Sequence, residues 1–419
     1  MNSGDRTAGG GAPRGSIAPS RQYQPYLEAA WGFKNAWYPA LFGAELSKNV
    51  VAGVTIAGHE IALRLVKGRV HAIRDRCAHR GVRMSLRPRC FADDTITCWY
   101  HGFTYGLDDG VLKTIVASPE DPLIGKVRIR TYPVEERAGI VFVFVGDEEY
   151  APAPPLAADL PIRIADDANP VAHLLDENVH VRGVHRRVES NWRLGVENGF
   201  DPGHLLIHWD NQIVAATDRR MGLGALPISE DAIKIIDEPN GPKGMMNMYN
   251  LRAYKFYMEN AVIGMKARGK KPYYARTSVF LPGLLLVEHW PIPGWAQYEW
   301  YAPIDDRRHE YWEVLVGRAA NDAERREAEY LYETFFEPLA LKDFNDNDVF
   351  AREAMRDFYE SRGGWDAETL CAFDEATIVW RKVAARFNRG IQEPSARRAE
   401  RPRASRWRRT ATARTRAAA

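Results

Sequence analysis

The stretch CAHRGVRMSLRPRCFADDTITCWYHG, residues 77–102, decides the fold. It opens on Cys77-Ala-His79 and closes on Cys98-Trp-Tyr-His101, so its pattern is C-x-H-x18-C-x2-H. Each half offers one thiolate and one imidazole, and a glycine closes each half so that the backbone can turn tightly. Two soft thiolates suit one ferric iron, and two imidazoles suit a second. The spacing therefore predicts two loops that hold one binuclear metal centre.

A Rieske-type [2Fe–2S] cluster is the interpretation that this ligand order favours. A structural zinc site is one alternative, but its usual spacing pairs Cys with Cys and His with His, often on a helix. Buried core cysteines with surface histidines are the other alternative. Because each loop here is Cys-then-His and the surroundings alternate like strands, we assign Cys77, His79, Cys98 and His101 to the cluster.

A second group of candidate ligands lies in NWRLGVENGFDPGHLLIH, residues 191–208. His204 and His208 are four residues apart, which on an α-helix places both imidazoles on one face. Asp201 precedes His204 by three residues and shares that face. A site of two histidines and one carboxylate binds Fe(II) and keeps open positions for O2. Two histidines on an ordinary helix are the alternative.

The residues between these two histidines argue against a hydrolase. A zinc hydrolase of the H-E-x-x-H type needs a Glu between the pair as general base. Here the intervening residues are Leu205, Leu206 and Ile207.

A similar pattern upstream, formed by Asp176, His180 and His185, is not a candidate site. The segment alternates like a strand, and its two histidines are five residues apart, so they point to opposite faces. We interpret them as structural or exposed residues.

Composition and charge narrow the class of protein. The net charge of +2 hides a basic tail: residues 394–419 hold nine Arg and one Glu, so the remaining chain is mildly acidic. No nucleic-acid footprint is expected for the folded part. Four cysteines are too few for a disulfide scaffold, and Cys90 and Cys371 are expected to be ordinary apolar residues. We see no secretory signal and no apolar run that could span a membrane, so the cytoplasm is the expected location.

The domain organisation follows from shifts in pattern along the chain. Residues 1–24 and the tail 393–419 are expected to be disordered. Residues 25–155 show short alternating strands with glycine turns, which is typical of an all-β domain. The proline cluster APAPPL at 151–156 predicts a linker. Residues 156–392 mix strands with helices, so this part is expected to be an α+β catalytic domain.

These motifs together resemble the α subunits of Rieske non-haem iron ring-hydroxylating oxygenases, over roughly residues 25–392. The resemblance is strongest to the carbazole-type members of that family. It rests on these stretches, which match in order along the chain: GFKNAWYPALF (32–42), DRCAHRGVRMS (75–85), TITCWYHGFTYGLDDGVL (95–112), SNWRLGVENGFDPGHLLIH (190–208), EWYAPID (299–305) and ALKDFNDNDVFAREAMRDFY (340–359), with DEATIVWRKVA and NRGIQ near the end.

The resemblance implies a fold, two cofactors and an assembly. The fold class is α+β, with an N-terminal all-β Rieske [2Fe–2S] domain and a C-terminal helix-grip-like domain in which helices pack on an antiparallel sheet. Each subunit is expected to bind one [2Fe–2S] cluster and one mononuclear Fe(II). The assembly is expected to be a homotrimer that takes electrons from a ferredoxin or flavin reductase and binds neither nucleic acid nor membrane.

The resemblance also implies roles for single residues. The third iron ligand is expected at Asp348, with Asp346 as the alternative. Asp201 matches a bridging aspartate that hydrogen-bonds a Rieske His of one subunit and an iron-ligand His of the next. Asn198 and Glu197 are hypothesised to orient the iron site. The predicted pocket residues are Gly199, through its carbonyl, together with Trp290 and Phe344, and residues 209–280 are expected to supply much of the pocket lid.

The implied function is that of the terminal oxygenase of a multicomponent aromatic-ring dioxygenase. It would insert O2 into an aromatic or heteroaromatic substrate, with angular attack of the carbazole type favoured. A monooxygenase or oxidative demethylase acting on another small aromatic or alicyclic compound is the alternative. A pure electron carrier would need only the N-terminal domain, so the long segment after the linker argues against that class.

Overall fold

The computed structural model describes residues 22–48, 50–161, 171–201, 203–218, 233–239, 241–250, 274–371 and 374–393. The two ends predicted to be disordered lie almost entirely outside these residues. Among the described residues, no helix has the length and apolar character needed to cross a bilayer.

The N-terminal domain is built from short strands in three small antiparallel sheets. Their strand orders are β1-β10-β9, β2-β3-β4-β8 and β5-β6-β7. The strands are β1 Ala36–Phe42, β2 Ala52–Ile56, β3 His59–Val66, β4 Arg69–Arg74, β5 Thr95–Thr97, β6 Phe103–Gly106, β7 Leu112–Ile115, β8 Thr131–Tyr132, β9 Val134–Arg137 and β10 Ile140–Val145. Two short helices, α1 Gln24–Glu28 and α2 Gly43–Lys48, accompany them.

The C-terminal domain is one antiparallel sheet with helices. Its described strands follow the order β11-β17-β16-β15-β14-β13-β12. Their bounds are β11 Val179–Val188, β12 Ile233–Glu238, β13 Gly241–Asn250, β14 Tyr274–Phe280, β15 Leu284–Glu288, β16 Ala296–Pro303 and β17 His309–Arg318. The helices are α3 Trp192–Phe200, α4 Gln212–Ala216, α5 Asp322–Leu331, α6 Asn345–Ser361, α7 Gly364–Ala367 and α8 Glu375–Ala384. The α+β fold class, with an all-β first domain, is confirmed.

Two further segments complete the helical layer, and both position the site described below. Gly203–His208 forms a 3-10 helix, and Tyr332–Phe344 forms a π-helical segment that joins α5 to α6. π-helical turns are rare and often lie at functional sites. Pro338 lies inside this segment.

One hydrophobic core cluster contains residues of both domains. Strand β10 is buried at all six positions, as expected for a strand covered on both faces. Its core cluster continues into β16 and β17, and the rings of Phe142 and Trp300 lie 5.8 Å apart. This shared packing fixes the first domain against the catalytic sheet.

The N-terminal segment before β1 packs on the second domain. Tyr26 and Phe33 belong to the same buried cluster as Trp192 of α3, and the Trp192 indole N–H donates to the Ala29 carbonyl at 2.8 Å. The sequence-based division at residue 155 assigned this segment to the first domain, and that division stays a prediction.

A buried ion network holds α3 against α8. The Glu197 carboxylate accepts hydrogen bonds from Arg381 at 2.7 and 2.9 Å and from the Tyr26 hydroxyl at 2.8 Å. Arg381 also pairs with Glu368 and is 1% exposed. Removing one partner of such a network leaves a buried charge uncompensated. Helix α3 leads directly into the candidate ligands, so this network supports their position.

We expect Arg381→Ala to lower the free energy of unfolding by about 3–5 kcal/mol, because Glu197 would stay buried without its cation. Urea denaturation followed by far-UV circular dichroism measures the change. As a control, Arg386→Ala removes an ion pair whose two side chains are 52% and 54% exposed, and should change stability by no more than about 0.5 kcal/mol. Equal losses in the two variants would contradict this account of the network.

Candidate functional site: two metal centres

Two loops of the N-terminal domain repeat the same backbone geometry. The Cys77 amide donates to the Val82 carbonyl at 3.0 Å, and the Cys77 carbonyl accepts from the Gly81 amide at 2.9 Å. In the second loop the Cys98 amide donates to the Phe103 carbonyl at 2.7 Å, and the Cys98 carbonyl accepts from the Gly102 amide at 3.0 Å. The closing glycine has φ of +71° in both loops, a conformation that L side chains rarely adopt.

The four predicted cluster ligands come together at the tips of these loops. Cys77 and Cys98 are buried, at 3% and 2% exposed, and the rings of His79 and His101 lie 4.6 Å apart. His79 is exposed and His101 half-buried. A hydrogen bond from the Cys77 thiol lowers the pKa of Cys98. The donor set of two thiolates and two imidazoles fits a Rieske cluster.

Buried polar contacts hold the loops in place. The Asp75 carboxylate, fully buried, accepts from Arg83 at 2.7 Å and from the Ser85 amide at 2.8 Å. The Tyr105 hydroxyl lies 3.3 Å from the Cys77 sulfur and accepts from the Ala78 amide at 3.0 Å. Because that hydroxyl uses its oxygen for the amide, its hydrogen is free to point at the sulfur.

His204, His208 and Asp348 come together as a second candidate metal centre. The Asp348 Oδ1 atom lies 3.6 Å from His204 Nε2 and 3.3 Å from His208 Nε2. One ligand atom from each residue lies within 4.8 Å of the others. His208 is fully buried, Asp348 is 4% exposed, and His204 is half-buried. This is the donor set of a two-histidine, one-carboxylate iron site.

The local structure around the histidines differs from the sequence-based prediction. His204 and His208 lie on a 3-10 helix instead of an α-helix, so residues four apart are not aligned on one face. Their rings are perpendicular, at 89°, with centroids 5.1 Å apart. Asp201 precedes this turn, and its side chain accepts from the Gly203 amide at 2.7 Å. Its backbone carbonyl, not its carboxylate, contacts His204 Nδ1.

Each histidine is anchored through Nδ1, which leaves Nε2 for a metal. His204 Nδ1 faces the Asp201 carbonyl, and His208 Nδ1 lies 3.0 Å from Asn211 Oδ1. Both partners are acceptors in this arrangement, so both Nδ1 atoms carry the hydrogen. Within the described part of the chain, the buried His208 Nε2 and Asp348 Oδ1 atoms have no hydrogen-bond partner. Such orphaned atoms at one point fit a bound cation.

Electrostatics separate the two candidate carboxylates. Burial opposes ionisation of Asp348, but His208 and then His204 hold the pKa of that carboxyl well below its usual range. Asp346 has a side chain that is 55% exposed and pairs with Arg186. The structure therefore brings Asp348, and not Asp346, to the two histidines.

Aromatic side chains form one wall beside the candidate iron site. Phe344 stacks on His208 with ring centroids 3.6 Å apart and an interplanar angle of 7°. Trp290 lies 4.7 Å from Phe344, and its indole N–H donates to Gln297 at 2.9 Å. This bond satisfies the only polar group of the indole, so the wall is apolar.

Gly199 and the predicted lid are the remaining parts of the predicted pocket. At Gly199 a Cβ atom would lie 2.1 Å from the Tyr301 hydroxyl oxygen, so the position admits only glycine. The role of the Gly199 carbonyl in substrate binding stays a prediction. Much of the predicted lid, residues 219–232 and 251–273, lies outside the described residues.

The two residues hypothesised to orient the iron site have different partners. Asn198 Oδ1 accepts from Arg352 Nε at 2.6 Å, four residues beyond Asp348 on α6. Glu197 instead belongs to the ion network with Arg381 described above, so the structure gives it a structural partner. The role of Asn198 in catalysis stays a prediction.

Sequence reasoning missed three buried polar residues around this site. Arg352 is fully buried, with its guanidinium 4.3 Å from the centre of the Tyr311 ring. Glu299 accepts from the Tyr311 hydroxyl at 2.7 Å, and Asn211 bonds His208. Arg352 could have been found from its position one helical turn after Asp348. Glu299 and Asn211 lie in no sequence motif or spacing that would have indicated them.

The upstream pattern has structural partners, as its strand character predicted. In β11, His180 lies 3.2 Å from Glu329 of α5. On the opposite face, His185 lies between Glu45 and Glu310, at 2.9 and 2.6 Å. His180 and His185 therefore connect the two faces of the sheet to α5 and α2.

Comparison with known families decides the identity of the two centres. Residues 36–133 match the model of the Rieske [2Fe–2S] domain, and residues 144–392 match a family described as homotrimeric ring hydroxylases. The chain belongs to this family of Rieske ring hydroxylases. The part of the chain that matches the Rieske model includes the paired loops, and the part that matches the ring-hydroxylase model includes His204, His208 and Asp348.

Individual relatives are similar to this chain over most of its length. The terminal oxygenase component of carbazole 1,9a-dioxygenase from Metapseudomonas resinovorans is 38% identical over 88% of this chain and 94% of its own. A structure of 2-oxoquinoline 8-monooxygenase superposes with a TM-score of 0.83 at 48% identity, covering 90% of this chain and 91% of that one. A reduced complex between the oxygenase and ferredoxin of carbazole 1,9a-dioxygenase gives a TM-score of 0.80 at 36% identity, covering 90% and 95%.

For the cluster site, we expect Tyr105→Phe to lower the reduction potential of the Rieske centre by roughly 20–60 mV. The hydroxyl stabilises the additional negative charge of the reduced state through a hydrogen bond worth about 0.5–1.5 kcal/mol. Protein-film voltammetry measures the shift. An unchanged potential with an intact cluster spectrum would show that Tyr105 does not donate to the sulfur.

For the iron site, we expect Asp348→Ala to reduce the iron content from three to two per chain, because the two imidazoles lose the carboxylate that completes the ligand set. Inductively coupled plasma mass spectrometry of the purified protein gives the content. Asp346→Asn, on the same helix, should keep three. If the Asp348→Ala protein retains the third iron, this carboxylate is not one of the iron ligands.

Proposed function

We propose that this chain is the terminal oxygenase of a multicomponent system that inserts oxygen into a fused nitrogen heteroaromatic substrate. The observation that carries the proposal is the convergence of His204, His208 and Asp348 beside the apolar wall of Trp290 and Phe344. When bound, the [2Fe–2S] cluster passes single electrons and the mononuclear iron activates O2.

The chain's own side chains supply the frame for this chemistry. His204 and His208 have their Nδ1 atoms hydrogen-bonded, which fixes which nitrogen ligates and in which plane. Asp348 would supply the one negative charge of the ligand set. Phe344 covers one face of His208 and keeps water away from that ligand. Trp290 extends the same wall and offers a flat surface to an aromatic ring.

We propose that the active assembly is a homotrimer in which Asp201 connects the two centres. The family description is homotrimeric, and the half-exposed His101 is available to a partner subunit. The Asp201 carboxylate would accept from His101 of the partner subunit, while its backbone carbonyl orients His204. Burial raises the pKa of Asp201 above its usual value, although His204 opposes this. A hydrogen-bonding cation or imidazole from a partner would offset that cost.

The partners and location follow from the same proposal. The relative that was solved as a complex with ferredoxin supports a ferredoxin, or a flavin reductase, as the electron donor. We place the enzyme in the cytoplasm, where NAD(P)H feeds such donors.

Two reaction outcomes compete, and each has a specific observation in its favour. Similarity to carbazole 1,9a-dioxygenase over almost the full length favours dioxygenation at an angular position of a tricyclic ring. The 48% identity to 2-oxoquinoline 8-monooxygenase favours insertion of a single oxygen atom into a bicyclic ring. Both substrates are fused nitrogen heterocycles, which is why we propose that class.

Turnover with labelled oxygen tests the proposal. The purified protein, with ferredoxin, reductase and NADH, is given ¹⁸O₂ and carbazole, dibenzofuran, dibenzodioxin or 2-oxoquinoline. Mass spectrometry should find two labelled oxygen atoms in the product of angular dioxygenation, or one in the product of monooxygenation. The Asp348→Ala protein is the negative control. NADH oxidation without an oxygenated product from carbazole or 2-oxoquinoline would contradict the proposed substrate class, and dibenzofuran and dibenzodioxin test whether the ring nitrogen is required.

The role of Asp201 has its own test. We expect Asp201→Asn to keep both metal centres yet to slow electron transfer from the Rieske cluster to the iron at least tenfold, because the amide cannot serve as the same acceptor. Single-turnover stopped-flow absorbance of the reduced cluster gives the rate. Normal transfer in a trimeric, fully iron-loaded variant would refute the bridge.

A further inference from the structure

The buried amide of Asn211 is connected to three parts of the iron site. Its Oδ1 atom lies 3.0 Å from His208 Nδ1 and accepts from Asn347 Nδ2 at 3.2 Å. Its Nδ2 atom donates to the carbonyl and to the carboxylate of Asp343, both at 3.2 Å. Asn211 is 6% exposed, so these bonds are shielded from water.

The Asp343 carboxylate determines which way this amide faces. An ionised carboxylate can only accept hydrogen bonds, so the NH2 group of Asn211 must face Asp343. The backbone amide of Gln212 also donates to that carboxylate, at 3.0 Å, which holds it in place. The oxygen of Asn211 must then face His208. It follows that His208 carries its hydrogen on Nδ1 and directs a lone pair from Nε2 towards Asp348.

The same contact places the plane of the His208 ring. Asp343 is followed at once by Phe344, whose ring stacks on His208 at 3.6 Å. Asp343 and Phe344 are the last residues of the π-helical segment, and Asn347 directly precedes the ligand Asp348. One amide therefore ties His208 to the end of the π-helical segment and to the first turn of α6.

We propose that Asn211, oriented by Asp343, is the positioning residue that selects the ligating nitrogen of His208 and fixes its ring for Fe(II). The inference rests on the proposed function, because it takes His208 as an iron ligand. A neutral amide at this position orients the imidazole without placing a second carboxylate directly on it. The negative charge of Asp343 stays one residue further from the metal, and the ligand set keeps a single anion.

Metal binding tests the inference without turnover. The mononuclear site is emptied with a chelator while the [2Fe–2S] cluster is retained, and Co²⁺ alone is titrated in. We expect Asn211→Ala to weaken Co²⁺ binding by about 10–100-fold and to shift its d–d absorption bands. Asp346→Asn, the matched surface control, should stay within about threefold of the wild-type protein. Asn211→Ala with wild-type affinity and an unchanged spectrum would overturn the proposal.

Exchanging the side chains of Asn211 and Asp343 distinguishes loss of ring positioning from general damage to the fold. Asn211→Asp alone would place two carboxylates face to face and should bind Co²⁺ poorly. Asn211→Asp combined with Asp343→Asn exchanges the donor and the acceptor, so the two carboxylates no longer repel each other while an oxygen still faces His208. We expect the double variant to bind Co²⁺ at least tenfold more tightly than the single one. If it does not, the proposal is wrong, and this comparison decides even where Asn211→Ala does not fold.

The wild-type protein and His208→Ala distinguish this inference from the proposed function. The wild-type protein should bind one equivalent of Co²⁺, and His208→Ala should lose that binding. Failure of either result would overturn the iron site itself. If both results are obtained but Asn211→Ala binds Co²⁺ like the wild-type protein, only the positioning role is overturned.

Discussion

The buried carboxylate of Asp348 is the constraint on which the catalytic half of the molecule depends. An ionised carboxylate at 4% exposure is costly unless positive charge shares the space. The chain holds its Oδ1 atom within 3.6 Å of both histidine Nε2 atoms. It also orients each imidazole through the opposite nitrogen. A divalent cation at that point satisfies all three atoms at once.

The surrounding architecture serves to keep this arrangement in place. Helix α3 leads into the two histidines, and the buried ion pair of Glu197 and Arg381 holds it in place. The π-helical segment delivers Phe344 to the face of His208 and then passes into α6, which carries Asp348. The same core cluster that supports β16 and β17 extends into β10 of the Rieske domain. The cluster domain and the iron domain therefore form one packed unit within the chain.

Local sequence patterns were sufficient to predict part of this site, and the limit has a physical basis. The Rieske ligands and the two histidines lie close together in sequence, so their spacing reflects direct geometric requirements. Asp348 lies on a helix far along the chain, and only the family resemblance indicated it. The α-helical prediction for His204 and His208 was wrong because six residues between a tight turn and α4 adopt the shorter 3-10 repeat. Asn211 and Glu299 act through tertiary contacts that no local pattern encodes.

The central claim is that each chain holds a [2Fe–2S] cluster and a separate iron at these particular side chains. Anomalous diffraction at the iron edge, from crystals of the purified protein, tests it most directly. The account predicts one binuclear peak between the sulfurs of Cys77 and Cys98 and the rings of His79 and His101. It also predicts one single peak within bonding distance of His204 Nε2, His208 Nε2 and Asp348 Oδ1. A fully loaded protein with no peak at the second position, or with one bound by the Asp201 carboxylate, would contradict it.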